Sequence, residues 1–352
     1  MKKKLFFAML ALTLLFAASS YAEDIEDTDE ESAAAPYTEP GYLLVPSYQR
    51  TIDSIRNVGV TKDNYYVLLN GGLYYDTNAT LAPKDNIARD FLKANSDLFN
   101  ENHKYTFGEN LGVAGDYFLL KGADKEVTAS YSFSQTLNSS AHGFDFQRHA
   151  IDVKGVFRTD ISGLPLYLVP RYTFGLEKFG FQGGYLYSHT LNPVIALAEN
   201  KANLTQVEYS VRYAQYHGNT TTQRAGLTHY YRFRDDMHYI YAGYFYGHNN
   251  SDRPFEKYRS LSFVAGFLAT LPYDVRLNAD YEYASLTFYK SRSVPDFNTR
   301  NDDDRSLSVS LTKEMLKGLV VKLQYQIERN GSNDIFSRFD RDITSLGATY
   351  IF

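Results

Sequence analysis

Val275-Arg-Leu-Asn-Ala-Asp-Tyr-Glu-Tyr283 alternates without a break. Val275, Leu277, Ala279, Tyr281 and Tyr283 fall on one face of an extended chain; Arg276, Asn278, Asp280 and Glu282 fall on the other. Four charged or amide groups pointing the same way cannot line a dry core, because burying each without a partner is costly. This strand therefore has one apolar face and one wet face.

The same alternation recurs on both sides of it. Residues 260–271 set Leu261, Phe263, Ala265, Phe267 and Ala269 against Ser262, Val264 and Gly266. Residues 126–136 set Val127, Ala129, Tyr131 and Phe133 against Thr128, Ser130, Ser132 and Ser134. Residues 204–213 oppose Val207, Tyr209, Val211 and Tyr213 to Gln206, Glu208, Ser210 and Arg212. Counted along the chain, such segments fall near 64–76, 105–120, 125–137, 147–159, 164–176, 180–190, 204–217, 222–234, 237–248, 257–271, 273–290, 303–314, 318–329 and 339–352. That makes about fourteen strands, with twelve or sixteen left open. An even count is what a single-chain bacterial barrel requires.

Connector composition agrees with a closed barrel. Asn249-Asn-Ser-Asp-Arg-Pro254, Asn298-Thr-Arg-Asn-Asp-Asp-Asp304 and Asn330-Gly-Ser-Asn333 are turn-forming stretches. With a periplasmic N-terminus, the outside loops fall near 77–104, 138–146, 177–179, 218–221, 249–256, 291–302 and 330–338. They are mostly longer than the inside turns, as in this class of barrel. Residues 191–203 break that rule as an over-long inside turn, as do the short outside connectors 177–179 and 218–221. The first outside loop carries Ile87, Phe91, Leu92 and Leu98 at roughly helical spacing. A short helix over the pore or on its rim is expected there.

The two ends assign the compartment. Lys2, Lys3 and Lys4 followed by apolar Leu5 to Ala18 read as a secretion signal, with cleavage after Ala22. The apolar run is shorter than the roughly 20 residues a spanning helix needs. Residues 23–62 read as an acidic periplasmic leader or a plug, and 63–352 as the transmembrane barrel. At the other end, Ser345-Leu-Gly-Ala-Thr-Tyr-Ile-Phe352 alternates and closes on an aromatic. The expected location is the bacterial outer membrane, integral, among its lipids.

The chain holds 36 Lys and Arg against 41 Asp and Glu, and losing the three leading lysines makes it more acidic still. That balance argues against a nucleic-acid partner. The absence of cysteine excludes disulfide staples and thiolate metal sites. With 31 Tyr and 24 Phe the chain is rich in rings suited to a membrane–water boundary. Eight His are scattered, none in a metal-ligand or nucleophile motif, and no cofactor or metal site is expected. His238 and His248 bracket an aromatic strand and read as interface decoration.

The wet faces carry the candidate functional residues. Arg171, Arg212, Arg224, Arg232, Arg276 and Lys322, with Asp280 and Glu282, are the expected pore-lining residues. Lys154, Arg158, Asp152, Glu208 and Glu328 share their phase. Bases outnumber acids in this set, which points to a wet channel for small solutes with a slight anion preference. The competing reading is that the charges form ion-paired ladders bracing the wall.

Tyr325-Gln-Ile-Glu-Arg-Asn-Gly-Ser-Asn333, Arg338-Phe-Asp-Arg341 and Gly347-Ala-Thr-Tyr-Ile-Phe352 are similar to the final hairpin of porin-like barrels. They also resemble the barrel of surface lipoprotein assembly modifiers, fourteen-stranded exporters. The resemblance implies an exposed loop at Asn330-Gly-Ser-Asn333 and a last strand begun by an Asp-Arg pair. It also implies that Phe352, with Tyr350, is the signal read by the barrel assembly machinery. Those exporters carry a helical repeat domain ahead of the barrel, which residues 23–62 are too few to form. The sequence therefore ranks a diffusion channel for hydrophilic solutes first, an export or assembly barrel with a partly plugged lumen second, and a barrel hydrolase third.

Overall fold

The computed structural model describes residues 65–79, 84, 105–140, 145–180, 185–215, 218–233, 238–290 and 299–352. The signal segment 1–22, the leader 23–62 and the helix expected over 87–98 lie outside the described residues. Sixteen antiparallel segments make up the fold. They are β1 (Tyr65–Asp76), β2 (Thr106–Lys121), β3 (Lys125–Asn138), β4 (Phe146–Ile161), β5 (Leu164–Val169), β6 (Arg171–Phe179), β7 (Leu186–Leu191) and β8 (Val194–Ala198). The second half holds β9 (Asn203–Gln215), β10 (Asn219–Arg232), β11 (Tyr239–Ser251), β12 (Tyr258–Leu271), β13 (Val275–Phe288), β14 (Arg300–Leu316), β15 (Leu319–Ser332) and β16 (Phe339–Ile351).

Sixteen segments make fourteen strands. Residues 164–179 keep one register against β4, with Leu168 opposite Phe157 and Arg171 opposite Lys154. Pro170 merely interrupts that strand. In the same way β7 and β8 keep one register against β9, with Leu191 opposite Val211 and Val194 opposite Glu208. Each remaining strand pairs with its chain neighbours, and β16 returns to pair with β1. The sheet is closed, so no row of unpaired backbone groups faces lipid.

The sixth strand corrects the sequence reading. Expected at 180–190, it instead spans 186–198. Tyr185-Leu-Tyr resembles the start of a strand as much as its middle, and Asn192-Pro193 resembles a turn. The shift removes two anomalies at once: the outside connector lengthens to 180–185 and the inside turn shrinks to 199–202. The charged run Arg300–Asp304, expected mostly in a loop, starts β14 instead. Its alternate residues point to opposite faces, so the charge run hides a strand.

The described turns at the end that carries Phe352 are short. Ser162 and Gly163, both at positive φ (53° and 81°), join Ile161 to its partner Leu164. Two positive-φ residues in a two-residue loop match the twist of the flanking strands.

Candidate lumen

The two faces of the wall differ as the alternation requires. Leu73 and Phe107 are 62% and 67% exposed, and Ile151, Val153, Leu191, Ile195, Leu227, Leu261, Leu311 and Leu346 are likewise uncovered. They stand on the outer face, where lipid replaces water as their surroundings. The opposite face carries Asp76, Thr128, Asp152, Glu177, Gln206, Glu208, Thr228, Asp302 and Arg341, all buried. Polar inside and apolar outside is the reverse of a soluble core.

Three of the candidate cations are held in ion pairs on this inner face. Arg171 reaches Asp152 of β4 at 2.6 Å. Arg212 meets Glu177 at 3.2 Å, and Arg148 approaches the same carboxylate at 3.4 Å. Arg224 spans two intervening strands to Glu282 at 3.3 Å, its guanidinium 4.0 Å from the centre of the Phe245 ring. Asp280 accepts hydrogen bonds from Tyr241 and Asn278. Lys322 shares the inner face, half-buried, opposite Thr312 and Gly347. Arg232 and Arg276 lie at the ends of β10 and β13 nearest Phe352.

Sequence phasing missed several groups on the same face. Asp76, Asp116, Glu126, Glu177, Asp302 and Asp304 are acids; Arg148, Arg300 and Arg341 are bases. Most lie within a few residues of a strand end, where composition reads as loop. The signal that could have found them is the continued alternation through Arg300-Asn-Asp-Asp-Asp304 and Phe339-Asp-Arg-Asp-Ile343. With the recovered acids counted, the excess of bases behind the expected anion preference disappears.

The tightest cluster lies where the barrel closes. Arg341, 2% exposed, donates to Asp76, 0% exposed, at 2.5 Å and to Glu328 at 3.2 Å. Arg300 pairs with Asp302 beside it, and Asn330 donates to Asp302 at 3.3 Å and to the Ser337 carbonyl at 2.7 Å. Buried charges this close to partners are satisfied rather than free.

Tyr74 and Phe245 on the inner face lie against glycines of the neighbouring strand. A Cβ on Gly108 would run into the Tyr74 ring, and one on Gly226 would run into the Phe245 ring. Each glycine leaves a notch that the neighbouring strand's ring fills. Phe245 also packs with Tyr230, Tyr239, Tyr241 and Val264 in one buried cluster. The described histidines serve the wall as well. His238 places Nε2 3.2 Å from the Thr270 carbonyl, while His149 and His189 bond the hydroxyls of Tyr131 and Tyr172 through Nδ1 at 2.9 and 2.7 Å. His103, His142 and His217 lie outside the described residues.

Residues 126–347, from the start of β3 to the last strand, match the surface lipoprotein assembly modifiers. The chain belongs to that family. No curated protein matches it. Among solved structures it is similar to the outer-membrane channel DcaP of Acinetobacter baumannii at 10% identity and a TM-score of 0.48, covering 82% of this chain and 96% of that one. It is also similar to OmpT of Vibrio cholerae at 10% identity and 0.46, covering 83% and 99%. An anion-selective porin from Comamonas acidovorans follows at 8% and 0.41, covering 82% and 98%. Likenesses this distant carry no functional argument. This family member is an integral outer-membrane barrel with a charged, largely ion-paired inner face.

Proposed function

We propose that this surface lipoprotein assembly modifier provides a polar passage across the outer membrane, and that its cargo is a lipoprotein bound for the cell surface. The passage rests on one observation: the inner face is largely polar along its strands, and the Tyr74 and Phe245 rings fill the notches over Gly108 and Gly226. The cargo rests on the family match alone. In this reading the first and last strands of the barrel begin and end on the periplasmic side, the tight turns face the periplasm, and the longer loops face out. Phe352 and Tyr350, whose rings pack edge to face with centres 4.6 Å apart at the end of the last strand, serve the barrel assembly machinery.

A second reading, a channel for small hydrophilic solutes, is supported by the same lining: Arg171, Arg212, Arg224, Arg232, Arg276, Asp280, Glu282 and Lys322 all stand on the inner face. Pairing of these charges favours weak ion selectivity over an anion preference. Deleting the gene and scoring protease-accessible lipoprotein on whole cells tests the first reading; unchanged display would defeat it. Liposome swelling with graded sugars tests the second. Swelling together with normal display in the deletion strain would leave the channel as the function.

A further inference from the structure

Pro170 and Pro193 face each other across the wall. The register that pairs Tyr172 with Leu191 and Val169 with Val194 puts them directly opposite. Both occupy the outer face, between exposed Leu168 and Tyr172 on one strand and exposed Leu191 and Ile195 on the other. Proline inside a sheet is rare because it withholds a ladder donor, and it is usually confined to edges. Here two stand side by side in mid-strand.

Where the missing donors fall decides the consequence. The Asn192 N–H donates to the Arg171 carbonyl at 2.8 Å, so residues 171 and 192 form a hydrogen-bonded pair. Bonded and non-bonded pairs alternate in an antiparallel ladder. The proline pair is therefore non-bonded, and each proline nitrogen points away from the other, to the flanking strand. On one flank the Gly155 N–H donates to the Pro170 carbonyl at 2.9 Å, and Pro170 cannot return the bond. On the other flank the Tyr209 N–H donates to the Pro193 carbonyl at 3.1 Å, and Pro193 cannot return it. There the Asn192 side chain stands in, its amide 3.3 Å from the Tyr209 carbonyl and 3.2 Å from Glu208. Both losses occur at one height, on the two outer edges of a single hairpin, while the ladder inside the hairpin loses no bond to them.

Behind the prolines the inner face carries a small apolar patch among its polar groups. Val156, Val169 and Val194, with Tyr167 against them, form a buried cluster on β4, β5 and β8. This apolar patch sits directly against the proline pair, bordered by Arg171 with Asp152 on one side and Asn192 with Glu208 on the other. We propose that the hairpin of residues 164–198 is a panel that parts from β4 or β9 within the membrane, and that the parted edge takes an acyl chain. This rests on the lipoprotein reading above, because a cargo with a lipid anchor must move a polar body through the passage and its acyl chains along lipid. Each flank lacks one ladder bond at this height, so parting starts at the prolines, where the fewest bonds must break.

Hydrogen–deuterium exchange in lipid nanodiscs tests the panel without reference to cargo. Amides at Gly155 and Tyr209 are expected to exchange roughly tenfold or more faster than those of residues 344–351 in the closing strand, and Pro170→Val with Pro193→Val should abolish the difference. Equal protection in the unaltered protein, or no slowing in a folded double variant, would overturn it. The chain contains no cysteine, so introduced pairs are unambiguous. Val153→Cys with Tyr172→Cys, and Ile195→Cys with Val207→Cys, staple the two flanks across directly opposed residues. Oxidation of both pairs together should abolish lipoprotein display and reductant should restore it, while a Tyr75→Cys/Thr344→Cys staple in the closing seam leaves display intact. Normal display with both flanks stapled would overturn the acyl-chain role. If the unaltered barrel displays no lipoprotein at all, the cargo reading fails, and the exchange result still judges the panel.

Discussion

Two seams of this barrel meet opposite demands. Where β16 returns to β1, pairing runs unbroken from Leu68 and Ile351 to Asp76 and Ile343. The Phe352 N–H donates to the Val67 carbonyl at 2.9 Å at one end, and the Thr77 N–H donates to the Asp342 carbonyl at 3.0 Å at the other. Arg341 then bolts the seam from inside through Asp76. Along the flanks of the 164–198 hairpin, prolines delete ladder bonds and a side chain substitutes for one of them. Chain closure joins residues far apart in sequence, which costs loop entropy before any contact is gained, so extra bonding there is needed to hold the ring shut. The hairpin is local and re-forms cheaply, so weakness can be tolerated there.

The largest test of this contrast is Arg341→Ala. It strands Asp76 and Glu328 without their shared cation, and the expected loss is about 3–5 kcal/mol. It should appear as a lowered unfolding midpoint in detergent; an unchanged midpoint would show that the closing seam does not depend on the bolt. Next, Gly72→Ala places a Cβ 2.8 Å from the Leu346 carbonyl oxygen across the same seam. Crowding of backbone by the new methyl should cost about 1–3 kcal/mol, read as the same midpoint shift. On the weak side, Asn192→Ala removes the substitute donor and should cost about 1 kcal/mol, with faster exchange at Tyr209 and no change in the closing strand. Slower or unchanged exchange at Tyr209 would break the comparison. The smallest effect is expected for Arg329→Ala, whose ion pair with Asp342 at 2.7 Å is partly exposed. Screening limits it to under about 1 kcal/mol, shrinking further in high salt.

Much of the fold was legible in the sequence for a plain reason. In a barrel every second residue meets lipid, so alternation survives in strands such as 275–283 and 126–136 regardless of what the interior does. The even strand number followed from that alternation. Legibility failed where two kinds of signal competed. Asn192-Pro193 carries turn residues inside a strand, which displaced the sixth strand by several positions. Arg300 to Asp304 carries loop-like charges in strand phase, which concealed the buried Arg300–Asp302 pair. Placement of Arg171, Arg212, Arg224, Asp280, Glu282 and Lys322 on one face came from phase alone. Their partners did not, because Asp152, Glu177 and Phe245 belong to other strands.

Alternation and turn chemistry, read from residues alone, determined that this chain forms a strand-built wall with a wet face and a lipid face. They did so because a period of two is a local property of the extended chain. Register is not local. It is set when all strands close into a ring, and a shift of one residue would exchange the two faces. Only closure brought Arg341 to Asp76, and only lateral pairing of four successive strands brought Arg224 to Glu282. Pairing within the 164–198 hairpin set Pro170 opposite Pro193, turning two separate prolines into one weak place in the wall.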